Sequence, residues 1–139
     1  MIYIAYKYTN SPDKQALRED LETIANSLET KGHQTFVLFR DKKQWGMKHH
    51  NNKLHSMLFM IYKLIFASHV LVFVDNDSVS PGLRFELKYA KFLRKPITLL
   101  IQKGLEETKI RSKADFIVEF NSKAELGNLV VKSSNLSLI

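Results

Sequence analysis

A chain of 139 residues, 45% hydrophobic and 25% charged, has the composition of a folded globular domain and not of a disordered tail. Its length suits one domain over residues 1–139 with one substantial core. The absence of cysteine excludes disulfides, thiolate catalysis and cysteine zinc sites, while a formal charge of +7 admits an anionic partner without choosing its kind.

The opening run "IYIAY" reads as a short strand and lacks the long apolar core of a signal peptide. "SPDKQALREDLETIANSLETKG" follows as an amphipathic helix. Ser11 is placed as its N-cap, Pro12 at the first helical position and Gly32 at the stop. Leu17, Leu21, Ile24, Ala25 and Leu28 recur at helical spacing and should face the core. "QTFVLF" reads as the second strand. A polar loop, "RDKKQWGMKHHNNK", then leads into a helix whose stripe is Leu54, Leu58, Ile61 and Ile65. Trp45 in that loop is placed either to stack on a base or to cover a helix end. In "HHNNKLH", His50 and His55 miss the i, i+4 pairing of a helical metal site and have no matching carboxylate. No metal and no cofactor is expected.

The window "LHSMLFMIYKLIFASHVLVFV" is about long enough to span a bilayer. Lys63 near its centre, and the division at "ASH" into a helix-like and a valine-rich piece, argue against a membrane role. A cytoplasmic location is expected. "HVLVFVD" reads as a strand covered on both faces, "PITLLIQ" as the next, "DFIVEF" as the last, and "KAELGNLVVK" as a closing helix. Strands separated by helices of this length mean βαβ units. The expected architecture is a three-layer αβα domain with a flavodoxin/Rossmann-like parallel sheet of about five strands in the order 2-1-3-4-5.

In such sheets ligands bind beyond the carboxyl ends of the strands, where the strand order reverses. Here that crevice lies between "YKYTNS" and "DNDSVSPG", bringing Tyr6, Lys7 and Tyr8 into reach of ligand. Asp75 and Asp77 stand at the end of the third strand, as an acid or a sugar-hydroxyl ligand.

The stretch "SPGLRFELKYAKFLRKP" supplies the sharpest signal. Read as a helix over residues 83 to 95, it gathers Leu83, Leu87 and Ala90 on one arc and Arg84, Lys88, Lys91 and Lys95 opposite. Glu86 falls inside the apolar arc with no lysine or arginine one turn away. Ser80 is placed as N-cap with Pro81 and Gly82 behind it, so the free backbone N–H groups of the first turn make a seat for a phosphate. Gly82 leaves open space before the carboxylate. An acid beside an anion seat points to attack on a sugar carbon of a phosphorylated substrate.

The segment "VLVFVDNDSVSPGLRFELKYAKFLRKPITLL" resembles the nucleoside 2-deoxyribosyltransferase family, in its branch of 2'-deoxynucleoside 5'-monophosphate N-glycosidases. Gly82, Glu86 and Leu87 match the family's Gly-x-Gly-x-Glu-Leu pattern. The resemblance implies cleavage of an N-glycosidic bond, by hydrolysis or transfer, through a covalent intermediate between Glu86 and the sugar. It further implies that Gly82 lines the sugar, that Ser80 contacts a 5'-phosphate, and that the chain forms a homodimer whose sites borrow residues from the partner. A nucleotide or nucleoside is then the expected small-molecule partner, and nucleic acid is not. Two positions depart from the pattern: Arg84 replaces the second glycine, where it either crowds the sugar or binds phosphate, and Tyr6 replaces a small residue after the first strand. Two other readings stand beside this one. A TIR-like NAD glycohydrolase shares a glutamate before leucine in a comparable helix, and a nucleotide-binding or protein-interaction module would keep the fold without turnover.

Overall fold

The computed structural model describes residues 1–8, 12–41 and 53–137, without the side chains of residues 39, 53, 55 and 133–137. Strands β1 (Ile2–Tyr6), β2 (Thr35–Val37), β3 (His69–Val74), β4 (Ile97–Gln102) and β5 (Phe116–Phe120) form one parallel sheet in the order β2-β1-β3-β4-β5. This is the expected topology, with the reversal of strand order between β1 and β3. The helices are α1 (Lys14–Thr30), the single turn α2 (Leu38–Asp41), α3 (Lys53–Phe66), α4 (Pro81–Phe92), the short α5 (Thr108–Arg111) and α6 (Leu126–Ser137).

Strand alternation sorts the core into two layers. β1 sends Ile2, Ile4 and Tyr6 to the face covered by α1 and α6, where Leu21, Ile24, Leu28 and Val130 meet them. Tyr3 and Ala5 go to the opposite face, against Leu64 of α3 and Leu83, Leu87 and Ala90 of α4. β3 divides its side chains the same way, Leu71 and Phe73 against Val70, Val72 and Val74. A strand covered on both faces must be apolar throughout, which is why "HVLVFV" shows no alternation.

Local chemistry moves several element ends. α1 is capped by Asp13, whose carboxylate accepts the Ala16 N–H at 3.0 Å. Ser11, the expected cap, lies outside the described residues, as do Trp45 and His50. The helix stops at Thr30 with Lys31 as its C-cap, and the chain turns at Gly32, with φ +89°, where the His33 N–H reaches the Leu28 carbonyl at 3.1 Å. β2 stops at Val37 because the Asp41 carboxylate accepts the Val37 N–H at 2.7 Å and turns the chain into α2. α4 ends at Phe92, earlier than its sequence pattern suggests. Pro96 disfavours helix at Lys95, so Arg94 takes φ +57° and the Lys95 N–H closes on the Ala90 carbonyl at 2.9 Å.

The largest revision concerns α3. Its inward residues are Met60 and Leu64, followed by Ala67 just past its end, with Phe59 packed beside them. The stripe read from the sequence faces out instead: Leu54, Leu58 and Ile65 are exposed, together with Met57, Tyr62 and Phe66. Apolar residues occupy two sides of this helix, and periodicity alone does not say which side meets the sheet. Lys63 is accommodated among rings, its ammonium 5.4 Å from the Phe36 centroid and 5.5 Å from that of Phe59. No helix among the described residues is long and apolar enough to cross a membrane.

Candidate active site

α4 is built to present its N-terminal turn. Ser80 is the N-cap, extended at φ −132°, with its Oγ accepting the Leu83 N–H at 3.4 Å, and Pro81 opens the helix with its preset φ. From that start, advancing about 100° per residue, the buried face falls on Leu83, Glu86, Leu87 and Ala90. Glu86 therefore goes into the layer between α4 and the sheet. Its side chain is 8% exposed and makes no ion pair with any described residue.

The Glu86 pKa is raised from 4.5 to about 8, first by desolvation, because burial penalises the charged form. Tyr3 of β1 partly opposes that rise. Its buried hydroxyl is close enough to act electrostatically on Glu86 but does not reach hydrogen-bond geometry. The same surroundings hold the Tyr3 phenol well above its ordinary value, desolvation again leading and the Glu86 charge adding to it. At neutral pH this pair is a largely protonated carboxyl facing a neutral phenol, with the negative charge available to a minority of molecules. Tyr3 carries no motif. Only its place on the β1 face opposite Tyr6 could have suggested that it meets α4.

The other residues singled out from the sequence fall into three groups. Lys7 follows the end of β1 on the α4 side and is buried at 3% exposure. Its Nζ donates to the Asn76 carbonyl at 3.0 Å and the Ser78 carbonyl at 2.8 Å, and closes a short ion pair with Glu107. It thereby pins the β3–α4 loop to the segment after β4. Within that loop the Asn76 side chain accepts the Ser78 N–H at 3.0 Å, a turn that hands the chain on to Ser80.

On the opposite face of the sheet, Asp75 accepts from Asn76 at 2.8 Å and lies 3.5 Å from the Lys123 ammonium. Lys123 is closer still, at 2.7 Å, to Asp20 of α1, although that oxygen lacks the angular geometry of a hydrogen bond. Burial raises the Asp20 pKa, with Lys123 opposing the rise. Tyr6 is packed into the α1-side core, and Tyr8 is half-buried against it with the Lys14 ammonium 5.0 Å from its ring centroid.

Ser80, Asp77 and Arg84 line a pocket of about 290 Å³ together with Lys7, and Glu86 is not in its wall. Gly82 is exposed, and a methyl group added there would meet no described atom within 4 Å. The structure thus pairs Glu86 with Tyr3, gathers Ser80, Asp77, Arg84 and Lys7 around one concavity, and sets Asp75 with Tyr6 and Tyr8 on the other side of the sheet. Sequence reasoning missed Glu107, Lys123 and Asp20. Asp20 sits one residue before Leu21 of the α1 stripe, but the loop holding Glu107 has no periodicity to read. Among the described residues, no group of three histidines or acids could hold a metal ion.

No family model and no curated protein sequence matches the chain. Similar folds do occur among solved structures. The chain superposes on the CMP N-glycosidase BcmB of Clostridium botulinum with a TM-score of 0.65 at 15% identity, covering 99% of this chain and 98% of that one. A 2-deoxyribosyltransferase of Bacillus psychrosaccharolyticus gives 0.62 at 16% identity, with 91% and 90% covered. A conserved protein of Enterococcus faecalis gives 0.61 at 11% identity, with 95% and 97% covered. At these identities the likeness is one of fold, and the fold is the one that the sequence motif anticipates.

Proposed function

We propose that the protein cleaves the N-glycosidic bond of a 2'-deoxynucleoside or its 5'-monophosphate, with Glu86 as the nucleophile. The observation that carries this reading is the burial of Glu86 without an ion pair to any described residue, on the helix that opens at the switch-point crevice. The Gly-x-x-x-Glu-Leu pattern around it, and the likeness in fold to an N-glycosidase and a deoxyribosyltransferase, agree with it.

In the proposed step a Glu86 oxygen bonds to C1' of the sugar as the C1'–N bond breaks. The base leaves with that electron pair and takes up a proton. Water or a second base then attacks C1' from the vacated side and releases the carboxylate. Ser80 is assigned to the 5'-phosphate and Gly82 to the sugar. Of the two loop acids, Asp75 is engaged with Lys123, whereas Asp77 makes no ion pair with a described residue and lines the pocket beside Ser80.

The test is release of base from deoxynucleoside monophosphates, deoxynucleosides, CMP and NAD, followed by chromatography across pH. Base release from deoxynucleotides or deoxynucleosides is expected. Because the nucleophile must be ionised, kcat/KM should rise with pH and level off above an inflection near 8, gaining about tenfold per unit below it. Nicotinamide release alone would move the assignment to an NAD glycohydrolase. No release from any substrate, with ligand-induced thermal stabilisation, would leave a binding module.

The same reading includes a homodimer. α3 turns Leu54, Met57, Leu58 and Ile65 to solvent, and α4, packed against it, adds Phe92 at 80% exposure. A second copy of this face is the partner we assign to it. Sedimentation should show a dimer for the native chain and a monomer for Leu58→Glu/Ile65→Glu. A native monomer at tens of micromolar removes the dimer from the proposal.

A further inference from the structure

We infer that Lys123 is a positioning residue, fixing Asp75 at the crevice from the face of the sheet opposite Glu86. Its effect on turnover rests on the glycosidase reading, while its hold on the β3–α4 loop does not. β3 sends Leu71 and Phe73 to the α1 side, and alternation puts Asp75 there as well. Asp77 and Ser80 line the pocket beside α4 instead. Asp75 thus stands where the loop crosses between faces, at the carboxyl end of β3 beside the reversal of strand order.

The turn that carries Lys123 is itself anchored to β3. β5 ends on Phe120, whose ring stacks on that of Phe73 with centroids 5.7 Å apart and planes 13° from parallel. The Asn121 N–H then donates to Glu125 at 3.2 Å, and the Ser122 Oγ accepts the Ala124 N–H at 3.1 Å, opening the 3-10 turn Lys123–Glu125. Asp20 shows why a cation is needed there. It lies among Leu17, Leu21 and Ile24 on the buried stripe of α1, with its side chain 11% exposed. Burial raises its pKa, the charge of Asp75 adds to the rise, and Lys123 opposes it. The ammonium, 2.7 Å from Asp20 and 3.5 Å from Asp75, is what lets two poorly hydrated acids share one corner.

From Asp75 the hold passes along the loop. Lys123 faces the Asp75 Oδ2, leaving Oδ1 to accept the Asn76 side-chain N–H at 2.8 Å, and the Asn76 Oδ1 accepts the Ser78 N–H at 3.0 Å. Lys7 grips the carbonyls of Asn76 and Ser78 from the α4 side. Lys7 therefore holds backbone, whereas Lys123 orients a carboxylate. A group misplaced by about 1 Å can cost about a hundredfold in rate.

Hydrogen exchange and base-release kinetics test the two parts separately. In Lys123→Met the Ser78 amide should exchange at least about tenfold faster than in the native chain, and in Lys123→Arg at close to the native rate. Lys123→Gln carries the same expectation should the methionine variant fold poorly. In the assay, Lys123→Met and Asp75→Asn should each lose at least about tenfold in kcat with KM within about twofold, and Lys123→Arg should recover most of the loss. Adding Lys123→Met to Asp75→Asn should cost nothing further, because no carboxylate is left to orient. Unchanged exchange without the Lys123 charge overturns the inference whether or not base is released. So does a native kcat, or a loss that multiplies with that of Asp75→Asn. If the native chain releases no base while exchange responds as stated, the glycosidase reading fails alone and Lys123 remains the tie on Asp75.

Discussion

Glu86→Gln is expected to abolish base release and to make the protein more stable at alkaline pH. Removing a covalent nucleophile should lower kcat/KM by at least about 10⁴-fold, since hydrogen bonding and shape survive the change but no bond to C1' can form. The stability effect follows from linkage. The native chain keeps a proton on Glu86 up to about pH 8, whereas in the unfolded chain the carboxyl ionises near 4.5. Across that window the native state binds the extra proton, so stability falls as pH rises. The contribution is full below about 4.5, is lost progressively towards 8, and changes no further above it. At about 1.4 kcal/mol per pH unit the whole window amounts to several kcal/mol, an upper figure for a site that can relax. The neutral glutamine carries no such penalty. Denaturant unfolding at pH 5 and pH 9 should therefore give near-equal stabilities at the lower pH and a variant more stable by about 2–4 kcal/mol at the higher. The comparison has to be native minus variant, because burial also raises the Asp20 pKa and bends the native curve in the same direction. A difference that is the same at both pH values would show that Glu86 is not held in an apolar layer. An inactive variant of raised stability is the pattern of a residue kept for chemistry at the expense of folding.

The architecture was legible because its signals are redundant. Strand order followed from alternating segments, and "HVLVFV" reads as a doubly covered strand whichever scale is used. Glu86 was legible for a different reason: one charged residue on a clean apolar arc contradicts its surroundings, and such contradictions concentrate at working sites. The α3 stripe misled because the helix is apolar on two sides, so the choice between them belongs to tertiary packing and not to the segment. The partners of Lys7 and Asp75 were out of reach for a topological reason. Glu107 lies 100 residues from Lys7 in the chain, and Lys123 comes from a turn just before α6. Pattern reading places residues on faces. It does not say which loop comes back to meet them.

Lys7→Met should unfold at markedly lower temperature while leaving substrate affinity in the surviving folded fraction nearly unchanged. Lys7 was read from the sequence as a ligand-contacting residue, and the structure shows what it already does. Its ammonium satisfies the carbonyls of Asn76 and Ser78 and pairs with Glu107. All three of its donor positions are therefore in use, leaving none for a phosphate. Methionine retains the volume but strips two carbonyls of their donor and strands a carboxylate that is only 18% exposed. Losing one partner of such a network costs about 3–5 kcal/mol, or roughly 10 °C in Tm for a chain of this size. Glu107→Gln should cost less, about 1–2 kcal/mol, because the amide can still accept from Lys7. A double-mutant cycle over the two positions should show strong coupling, the combined loss falling well short of the sum. Circular dichroism melts measure the first quantity, and KM in the base-release assay measures the second. A Lys7→Met protein with native Tm and a KM raised tenfold or more would return Lys7 to the ligand. Loss of Tm with KM preserved identifies it as the tie that holds the Ser80 loop, and α4 behind it, at the mouth of the crevice.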